Sequence, residues 1–375
     1  MAGGLRLSPR REIFENPRTP AHRLLRNKLA MAKALTSVIG VDLGRYSLKS
    51  VLLQRKGGNR FVVTHYASHV LSGPVDSADT LGHELKALFK TMGGSAKACA
   101  VGVSSPDALI RIIEQPETPV HILRDALRLN GMALLNQDCK DFVLDCDRIP
   151  TTDTSADPEV AGRKKYLVGG LPRAQVSLVG SALQHSGASV GAMQLAPICA
   201  FNAFEFAFPE IFNEQAFFLV DIGHTGSTVM VGSKRELILV RSIDFGGKAL
   251  LEALMALSGE EREVVIQALD QEDEVMVEYC RVALSSLIRE IQNSIGFLEH
   301  RHEETISKVF ISGGPAKSAA LLKVLGEELA LPCESWSAAG KCEAALAASQ
   351  TEGFALESLD LNVACGAAAE LLKGN

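Results

Sequence analysis

The sequence predicts an α/β fold in which one structural unit occurs twice. Residues 38–49 read VIGVDLGRYSLK and residues 219–230 read LVDIGHTGSTVM. Each is an apolar run ending in Asp-x-Gly, then a polar stretch with Ser or Thr, then a return to apolar residues, which is typical of a hairpin. The two aspartates, Asp42 and Asp221, lie about one domain length apart. We therefore predict two related domains, each opened by such a hairpin.

In the first half, the segments VIGVDLG, LKSVLLQ and RFVVTHYASHVL predict an antiparallel meander, with a turn at residues 56–59 before the third strand. Residues 79–92 have helical spacing of apolar positions, and residues 97–105 have the Ala and Val content of a buried strand. The segment ALIRIIEQPE then ends at a proline, Pro116. Four further elements follow in order: the helix HILRDALRLNGMALL, a polar loop over 151–165, the strand KYLVGGLP and the helix AQVSLVGSALQHSG.

The second half repeats the meander with FFLVDIG, STVMVGS and LILVRSIDFGG, the last two joined by a polar turn at residues 234–236. A helical region over about 247–302 is interrupted near Ser258 and Gly259. A buried strand over 308–315 breaks at a Gly-Gly turn before another helix, and the small-residue helix LNVACGAAAELL closes the chain. A duplicated meander followed by helices and strands indicates an α/β repeat and not a solenoid.

Composition excludes several classes of function. The 375 residues, 47% hydrophobic and 22% charged, suffice for two domains with ample cores. No apolar stretch approaches the roughly 20 residues that a membrane span requires. None of the eight cysteines stands in a CxxC pair or at zinc spacing with histidine. We therefore expect reduced core thiols and a cytoplasmic location.

Charge is distributed unevenly along the chain. Residues 1–36 carry eight Lys or Arg against two Glu, whereas the rest of the chain is acidic. An acidic body argues against nucleic acid as a partner. The prolines and scattered arginines of the leader predict disorder. The alternative is a short basic helix over AHRLLRNKLAMAKAL that docks on a membrane surface or a partner; Met31 is also an alternative start.

The first hairpin carries groups suited to a phosphate chain and a metal ion. Asp42 at the strand end can hold Mg²⁺ directly or through water. Gly44 permits close approach of the backbone to a phosphate. Ser47 can donate to a phosphate oxygen, and Lys49 adds a point charge. The alternative interpretation is a turn aspartate that caps its own loop.

The second hairpin repeats this arrangement and predicts the opposite side of a phosphate site. Its candidate residues are Asp221, Gly223, Gly226, Ser227 and Thr228, with Asp221 the second metal candidate. Backbone N–H groups of such turns can face an anion. His224 lies inside the hairpin, but a loop histidine is more often simply solvated, and we assign it no chemistry. Two hairpins facing each other predict a nucleotide clamp.

A third segment, ISGG at residues 311–314, follows a strand and precedes a helix. Glycines there, Gly313 and Gly314, let an adenine and a ribose lie against bare backbone, and the start of the helix favours anionic groups. The commoner meaning of Gly-Gly is a simple strand-to-helix turn, and that alternative stays open.

Together, in this order and spacing, the three segments resemble the actin-like ATPase superfamily. In that superfamily two Asp-bearing hairpins clasp the phosphates of ATP, and a later Gly-Gly turn holds the adenosine. The small-residue helices over 197–206 and 362–369 resemble the two helices that connect its domains. The resemblance implies duplicated RNase H-like domains, with ATP and Mg²⁺ as ligands.

Within the superfamily the chain is similar to the PilM-type family of type IV pilus assembly proteins, relatives of FtsA. The similarity spans roughly residues 37–372. Its motifs are VIGVDLGRYSLKSVLL, RIIEQP, DIGHTGSTVMVGSKRELILVRSIDFGG, LIREIQNSIGF and ISGGPAKSAALLKVLGEELALPCE. Two features depart from the family pattern. Arg45 and Tyr46 occupy a hairpin that is usually richer in serine, and residues 127–136 lack the family's acidic, aromatic helix.

The resemblance implies a division of the chain into six parts. They are a basic leader (1–36), the first part of the first actin-like domain (37–110), an inserted partner-binding subdomain of the PilM and FtsA type (111–190), the return of the first domain with its connecting helix (191–212), the second actin-like domain (213–360) and a closing helix back to the first domain (361–375).

The resemblance also implies a function: a cytoplasmic ATP-binding assembly protein of a type IV pilus, peripheral at the inner membrane. Its partner would be an inner-membrane protein with a PilN-like cytoplasmic peptide, and the basic leader could add contact with the membrane surface. The nucleotide would act as a conformational clamp. The oligomeric state, the pilus system and the partner-binding residues stay open.

Two alternatives remain, an FtsA-like cell-division or cytoskeletal actin homologue and a small-molecule kinase. A kinase needs a catalytic base before the first connecting helix, and residues 186–201 contain no Asp or Glu, which disfavours it. Hydrolysis needs a residue that orients water, and the sequence identifies none. We therefore expect ATP binding with slow or no turnover, and the catalytic residues stay unknown.

Overall fold

The computed structural model describes residues 35–57, 60–96, 98–150, 162–271, 273–302 and 304–373. The predictions for residues 1–34 of the leader, for residues 58–59 of the first meander turn and for residues 151–161 of the polar loop lie outside the described residues. In the described part of the chain, no helix is both long enough and apolar enough to cross a membrane.

The first of three sheets has six strands and confirms the first predicted meander. Its strands are β1 (Ser37–Leu43), β2 (Ser47–Arg55), β3 (Phe61–Val70), β4 (Cys99–Val103), β8 (Val190–Leu195) and β14 (Glu343–Ala344). They lie in the order β14-β3-β2-β1-β4-β8, with β1 antiparallel to β2 and parallel to β4. Since β1 is buried almost throughout, it reads as a continuous apolar run and does not alternate.

The second sheet has five strands and repeats the first. Its strands are β9 (Ala216–Ile222), β10 (Ser227–Ser233), β11 (Glu236–Ile243), β12 (Val309–Ser312) and β13 (Cys333–Ser335), in the order β11-β10-β9-β12-β13. The register repeats as well: Asp42 pairs with Lys49 on the neighbouring strand, and Asp221 pairs with Thr228. The duplication read in the sequence is therefore a duplication of structure.

Thirteen α-helices are described. They are α1 (Ala78–Met92), α2 (Val120–Leu135), α3 (Arg173–His185), α4 (Ala196–Ala207), α5 (Pro209–Glu214), α6 (Gly247–Ser258), α7 (Arg262–Leu269), α8 (Glu274–Ala283), α9 (Ser285–His302), α10 (Ala319–Leu329), α11 (Ala348–Thr351), α12 (Phe354–Glu357) and α13 (Asn362–Lys373). We call the first sheet with α1, α3, α4 and α13 the first lobe, and the second sheet with α5–α10 the second lobe.

Local signals explain where several helices begin and end. The Ser77 hydroxyl accepts from the N–H of Thr80 and begins α1, and Gly93 in the left-handed conformation ends it. The predicted interruption of the long helical region is confirmed at Gly259, whose φ of 74° terminates α6.

The two small-residue helices, α4 and α13, pack against each other and against the first sheet. The crossing is so close that a Cβ on Gly366 would lie 1.8 Å from the carbonyl oxygen of Cys199. A Cβ on Gly40 of β1 would lie 1.9 Å from the carbonyl oxygen of Ala364. Glycine at these positions lets the strand and both helices touch through their backbones.

An aromatic cluster joins the two lobes. Phe204 on α4 stacks on Phe217 of β9 with ring centroids 4.8 Å apart, and it meets Trp336 edge-on at 5.3 Å. Phe310 of β12 lies edge-on to Phe204 at 4.9 Å. These side chains belong to one buried cluster that continues into the first lobe. The lobes therefore share a continuous core at their junction.

A separate three-stranded sheet lies between β4 and β8 in the chain. It consists of β5 (Leu109–Pro116), β6 (Phe142–Arg148) and β7 (Arg163–Pro172) in the order β5-β7-β6. With α2, it buries its own small core around Tyr166 and Leu127. The prediction of a loop over 151–165 is wrong at residues 163–165, which pair with residues 114–116 of β5. The predicted division of the chain into six parts stays a prediction.

Candidate functional site

Asp42 and Lys49 form an ion pair at the carboxyl end of β1. The Lys49 Nζ lies 3.2 Å from Asp42 Oδ2, while Asp42 Oδ1 is buried and has no partner among the described residues. Burial raises the pKa of the Asp42 carboxyl, and Lys49 opposes that shift. Burial would lower the pKa of Lys49, but the charges of Asp42, Asp360 and Asp221 outweigh it and raise that pKa.

Asp221 occupies the equivalent position in the second lobe. Its Oδ1 accepts a hydrogen bond from the Ser312 hydroxyl on β12, at 2.7 Å. Burial raises the pKa of Asp221, the Ser312 bond lowers it, and the charge of Asp42 raises it again. The two predicted aspartates therefore lie close enough to influence each other's ionisation.

A third carboxylate, which the sequence did not reveal, belongs to the same cluster. Asp360 precedes α13, and its Oδ2 accepts from the Lys317 ammonium at 2.5 Å. Its other carboxylate oxygen is buried without a partner in the described chain. The charge of Asp360 acts on Asp42, Lys49 and Asp221. The sequence offered one signal for Lys317, its position three residues after Gly314; it offered none for Asp360.

The turn of the first hairpin requires its glycine. A Cβ on Gly44 would lie 2.6 Å from the carbonyl oxygen of Ser47. Ser47 is half-buried at the start of β2. Within the described residues, the backbone N–H groups of Arg45 and Tyr46 donate to no other protein group. Such groups on a tight turn can bind an anion.

The second hairpin is fastened to the start of α6. The N–H of Gly223 donates to the carbonyl of Gly226 at 3.0 Å, and the N–H of Gly247 donates to the carbonyl of Gly223 at 2.8 Å. Ser227 is buried, and its hydroxyl donates to the carbonyl oxygen of Phe245 at 2.6 Å. Thr228 is half-buried beside Asp221. A phosphate role for Ser227 and Thr228 stays a prediction.

The Gly-Gly turn lies beside a pocket of about 550 Å³ in the second lobe. Gly314 lines this pocket, whereas Gly313 packs on β9. Gly313 has φ of 90°, and a Cβ there would lie 2.2 Å from the carbonyl oxygen of Ile222. The pocket wall is mainly apolar and includes Leu250 and Ile266.

Basic side chains surround His224 at the wall of this pocket. Burial lowers the pKa of the His224 imidazole, and the charges of Lys248, Arg262 and Arg45 lower it further. Glu252 acts in the opposite direction. Lys248 and Arg262 line the pocket together with His224. The sequence did not single out Lys248 and Arg262, because isolated basic residues on α6 and α7 carry no motif.

The site thus combines a cluster of three carboxylates and two lysines with a mainly apolar pocket whose wall carries Lys248 and Arg262. Among the described residues, no group of three or more His, Cys, Asp or Glu side chains is arranged to hold a metal ion directly. The unpartnered oxygens of Asp42 and Asp360 can still accept from water, which is the usual way proteins hold Mg²⁺. The geometry suits a ligand with an apolar or planar part and an anionic part.

Comparisons with known proteins identify one family. A family model described as type IV pilus assembly protein PilM matches residues 160–371. No curated protein sequence matches the chain.

Solved structures add evidence on the fold. A chain from a structure described as a PilM-PilN type IV pilus biogenesis complex matches at 19% identity with a TM-score of 0.74, over 89% of this chain and 98% of that chain. A diol dehydratase-reactivating factor in nucleotide-free form matches at 9% identity with a TM-score of 0.53, over 90% of this chain and all of that one. With the duplicated sheets, these likenesses confirm the predicted actin-like ATPase fold.

Proposed function

Because the chain belongs to the PilM family of type IV pilus assembly proteins, we propose that it binds ATP with Mg²⁺ in the cleft between its lobes. The bound nucleotide acts as a conformational clamp: it holds the two lobes of this pilus assembly protein in one arrangement. The observation that carries this proposal is the convergence of two equivalent Asp-bearing hairpins beside a pocket of about 550 Å³.

The charges of the cluster support a phosphate site. Lys49 and Lys317 supply ammonium groups, and each is now balanced by an aspartate at 3.2 and 2.5 Å. A phosphate chain would compete for these lysines, and turn N–H groups of both hairpins would add donors. Gly44, Gly223 and Gly226 keep the backbone of the turns accessible.

Mg²⁺ would be held by Asp42 and Asp221, with Asp360 nearby, through water. When bound, the ion supplies neutralisation of phosphate charge. The carboxylates orient its water shell, and Lys49 holds one oxygen of Asp42 in place. Adenosine would occupy the pocket beside Gly314, with Leu250 and Ile266 covering the base.

Turnover is slow or absent in this proposal. Attack of water on a phosphate needs a side chain that orients that water. In this proposal Asp42, Asp221 and Asp360 lie around the bound water of Mg²⁺, which leaves no carboxylate of the cluster to orient the attacking water. Binding energy is then used to hold the lobes in one arrangement, which changes the surface presented to a partner.

The partner in this proposal is an inner-membrane pilus protein with a PilN-like cytoplasmic peptide. Support comes from the likeness to a chain solved in a PilM-PilN complex. The protein would lie at the cytoplasmic face of the inner membrane, and its basic leader would add attraction to anionic lipid.

Calorimetric titration with Mg-ATP tests the binding claim. Wild-type protein should show one site, and Asp42→Ala and Gly313→Val should each weaken it at least about tenfold, a loss of roughly 1.4 kcal/mol. Asp138→Ala, on an exposed turn of the inserted sheet, is the matched control and should leave affinity unchanged. Unchanged affinity in both site variants would overturn the proposal.

A further inference from the structure

The pocket that we assign to adenosine is built by one lobe and covered by a single side chain of the other. Tyr46, at the tip of the first hairpin, is the first-lobe residue among those that line it. Every other lining residue belongs to the second lobe, between residues 224 and 318. The part of a ligand that lies in this pocket therefore meets the first lobe through Tyr46, whereas phosphates would reach Lys49 and the turn of the first hairpin separately.

Tyr46 makes direct contacts across the cleft. Its ring stacks on the His224 imidazole, with centroids 4.7 Å apart and planes inclined by 24°. The Tyr46 hydroxyl accepts from Arg262 Nη2 at 3.5 Å. Both partners are second-lobe residues that line the same pocket. The ring thus contacts the pocket wall itself.

Its neighbour Arg45 reinforces this contact. Arg45 Nη1 donates to the Thr225 hydroxyl at 3.1 Å, so two consecutive residues of the first hairpin hold two consecutive residues of the second. We call these four residues, Arg45, Tyr46, His224 and Thr225, the cross-cleft latch.

The backbone of Tyr46 is joined to the strands of the first hairpin. Its carbonyl accepts from the N–H of Leu71, and β2 begins at the next residue and carries Lys49. The backbone of Tyr46 is therefore continuous with the strand pair that carries Asp42 and Lys49. A tyrosine–histidine stack formed by chance at the surface would have no connection to the aspartate-bearing strands and no place in the pocket wall.

We propose that Tyr46 is the positioning residue through which an occupant of the pocket couples the two lobes. The inference rests on the proposed function and deepens it. A nucleoside base in the second-lobe pocket contacts the Tyr46 ring, and this contact favours the arrangement in which the latch is closed. Without the ring, the nucleotide still binds, but its base no longer acts on the first lobe, which then meets the ligand through the phosphates alone.

The test combines calorimetric titration with amide hydrogen exchange on the full chain, using Mg-ATP as the probe. In wild type, the ligand should slow exchange in both residues 44–47 of the first hairpin and residues 246–250 of the second lobe. In Tyr46→Ala, affinity should fall roughly threefold to tenfold, the size of a lost aromatic contact. At saturating ligand, protection at residues 246–250 should remain, while protection at 44–47 should fall to what the phosphates alone provide.

Two further variants separate the ring from other effects. Tyr46→Phe keeps the stack and removes only the hydroxyl, and should restore protection at residues 44–47. His224→Ala removes the opposite ring and should reproduce the loss. Because Tyr46 is 41% exposed, its substitution leaves the core intact. Undiminished protection of 44–47 in Tyr46→Ala overturns the inference alone, whereas absence of Mg-ATP binding in wild type overturns it together with the proposed function.

Discussion

The Lys165 ammonium, on the middle strand of the inserted sheet, donates to Glu236 at the start of β11, with Nζ and Oε1 2.5 Å apart. Glu236 is only 6% exposed and lies on the edge strand of the second lobe. The inserted sheet interrupts the first lobe in the chain, so this ion pair ties it directly to the second lobe. A change in the angle between the lobes would therefore act on this contact.

Lys165→Met should destabilise the protein, because it leaves a buried carboxylate without its partner. We expect a loss of about 1–3 kcal/mol in the free energy of unfolding, measured by urea denaturation. The double variant that combines Lys165→Met with Glu236→Gln should recover part of the lost free energy of unfolding. Strict additivity of the two single effects would contradict direct coupling. Lys164→Met on the same strand is the control and should change stability by less than about 0.5 kcal/mol.

Gly366→Val should prevent stable packing of α13 on α4. A Cβ at residue 366 would lie 1.8 Å from a backbone oxygen, and a clash with backbone cannot be relieved by a rotamer change. We expect loss of cooperative thermal unfolding or of soluble expression. Gly296→Ala, also in a helix but with no heavy atom within 4 Å of the new Cβ, should stabilise the protein by up to about 1 kcal/mol. Equal melting temperatures for Gly366→Val and wild type would refute the close crossing.

Asp360→Asn should reduce the dependence of nucleotide binding on Mg²⁺. Asp42, Asp221 and Asp360 place three carboxylates where we propose the phosphates lie, and a divalent ion would offset their repulsion. In EDTA, the variant should bind ATP more tightly than wild type, and with Mg²⁺ the difference should shrink or reverse. Titration under both conditions measures this. Equal affinities of variant and wild type in EDTA would show that the charge of Asp360 does not act on the phosphates.

Asp221→Asn should make the unliganded protein more stable at neutral pH. Burial raises the pKa of Asp221 above its ordinary value of 3.8, so ionisation costs more in the folded than in the unfolded state. That cost is fully present above the folded pKa and disappears as the pH falls below 3.8, where the carboxyl is protonated in both states. Urea denaturation across this range should show an advantage for the variant at pH 7 that fades with acidification. An advantage that grows in acid would contradict the shift.

The sequence predicted the fold largely because its signals are local. The meanders of β1–β3 and β9–β11 are short apolar segments joined by polar or glycine turns, and each was recognisable within about ten residues. The small-residue composition of α4 and α13 likewise predicted close packing. The loop predicted at 163–165 failed, since charged residues there pair with β5 through backbone bonds that composition does not report.

For the candidate site, the repeat of Asp-x-Gly identified Asp42 and Asp221 because the same local pattern occurs twice. Lys317, Asp360 and His224 were not predicted in any role. The surroundings of each are formed by residues far away in the chain. Tyr46, for example, stacks on His224. No periodicity or motif encodes contacts of that kind.

By itself, then, the sequence determined two equivalent hairpins, a Gly-Gly turn and the family to which they belong, because hydrophobic period, glycine and turn chemistry act between near neighbours. Only the tertiary structure decided that a third carboxylate joins the pair, that Lys165 links the inserted sheet to the second lobe, and that Tyr46 covers the opposite lobe's pocket. The reason is physical: such contacts arise when packed sheets and helices bring distant segments together, and their strength depends on burial and distance, which follow from the fold.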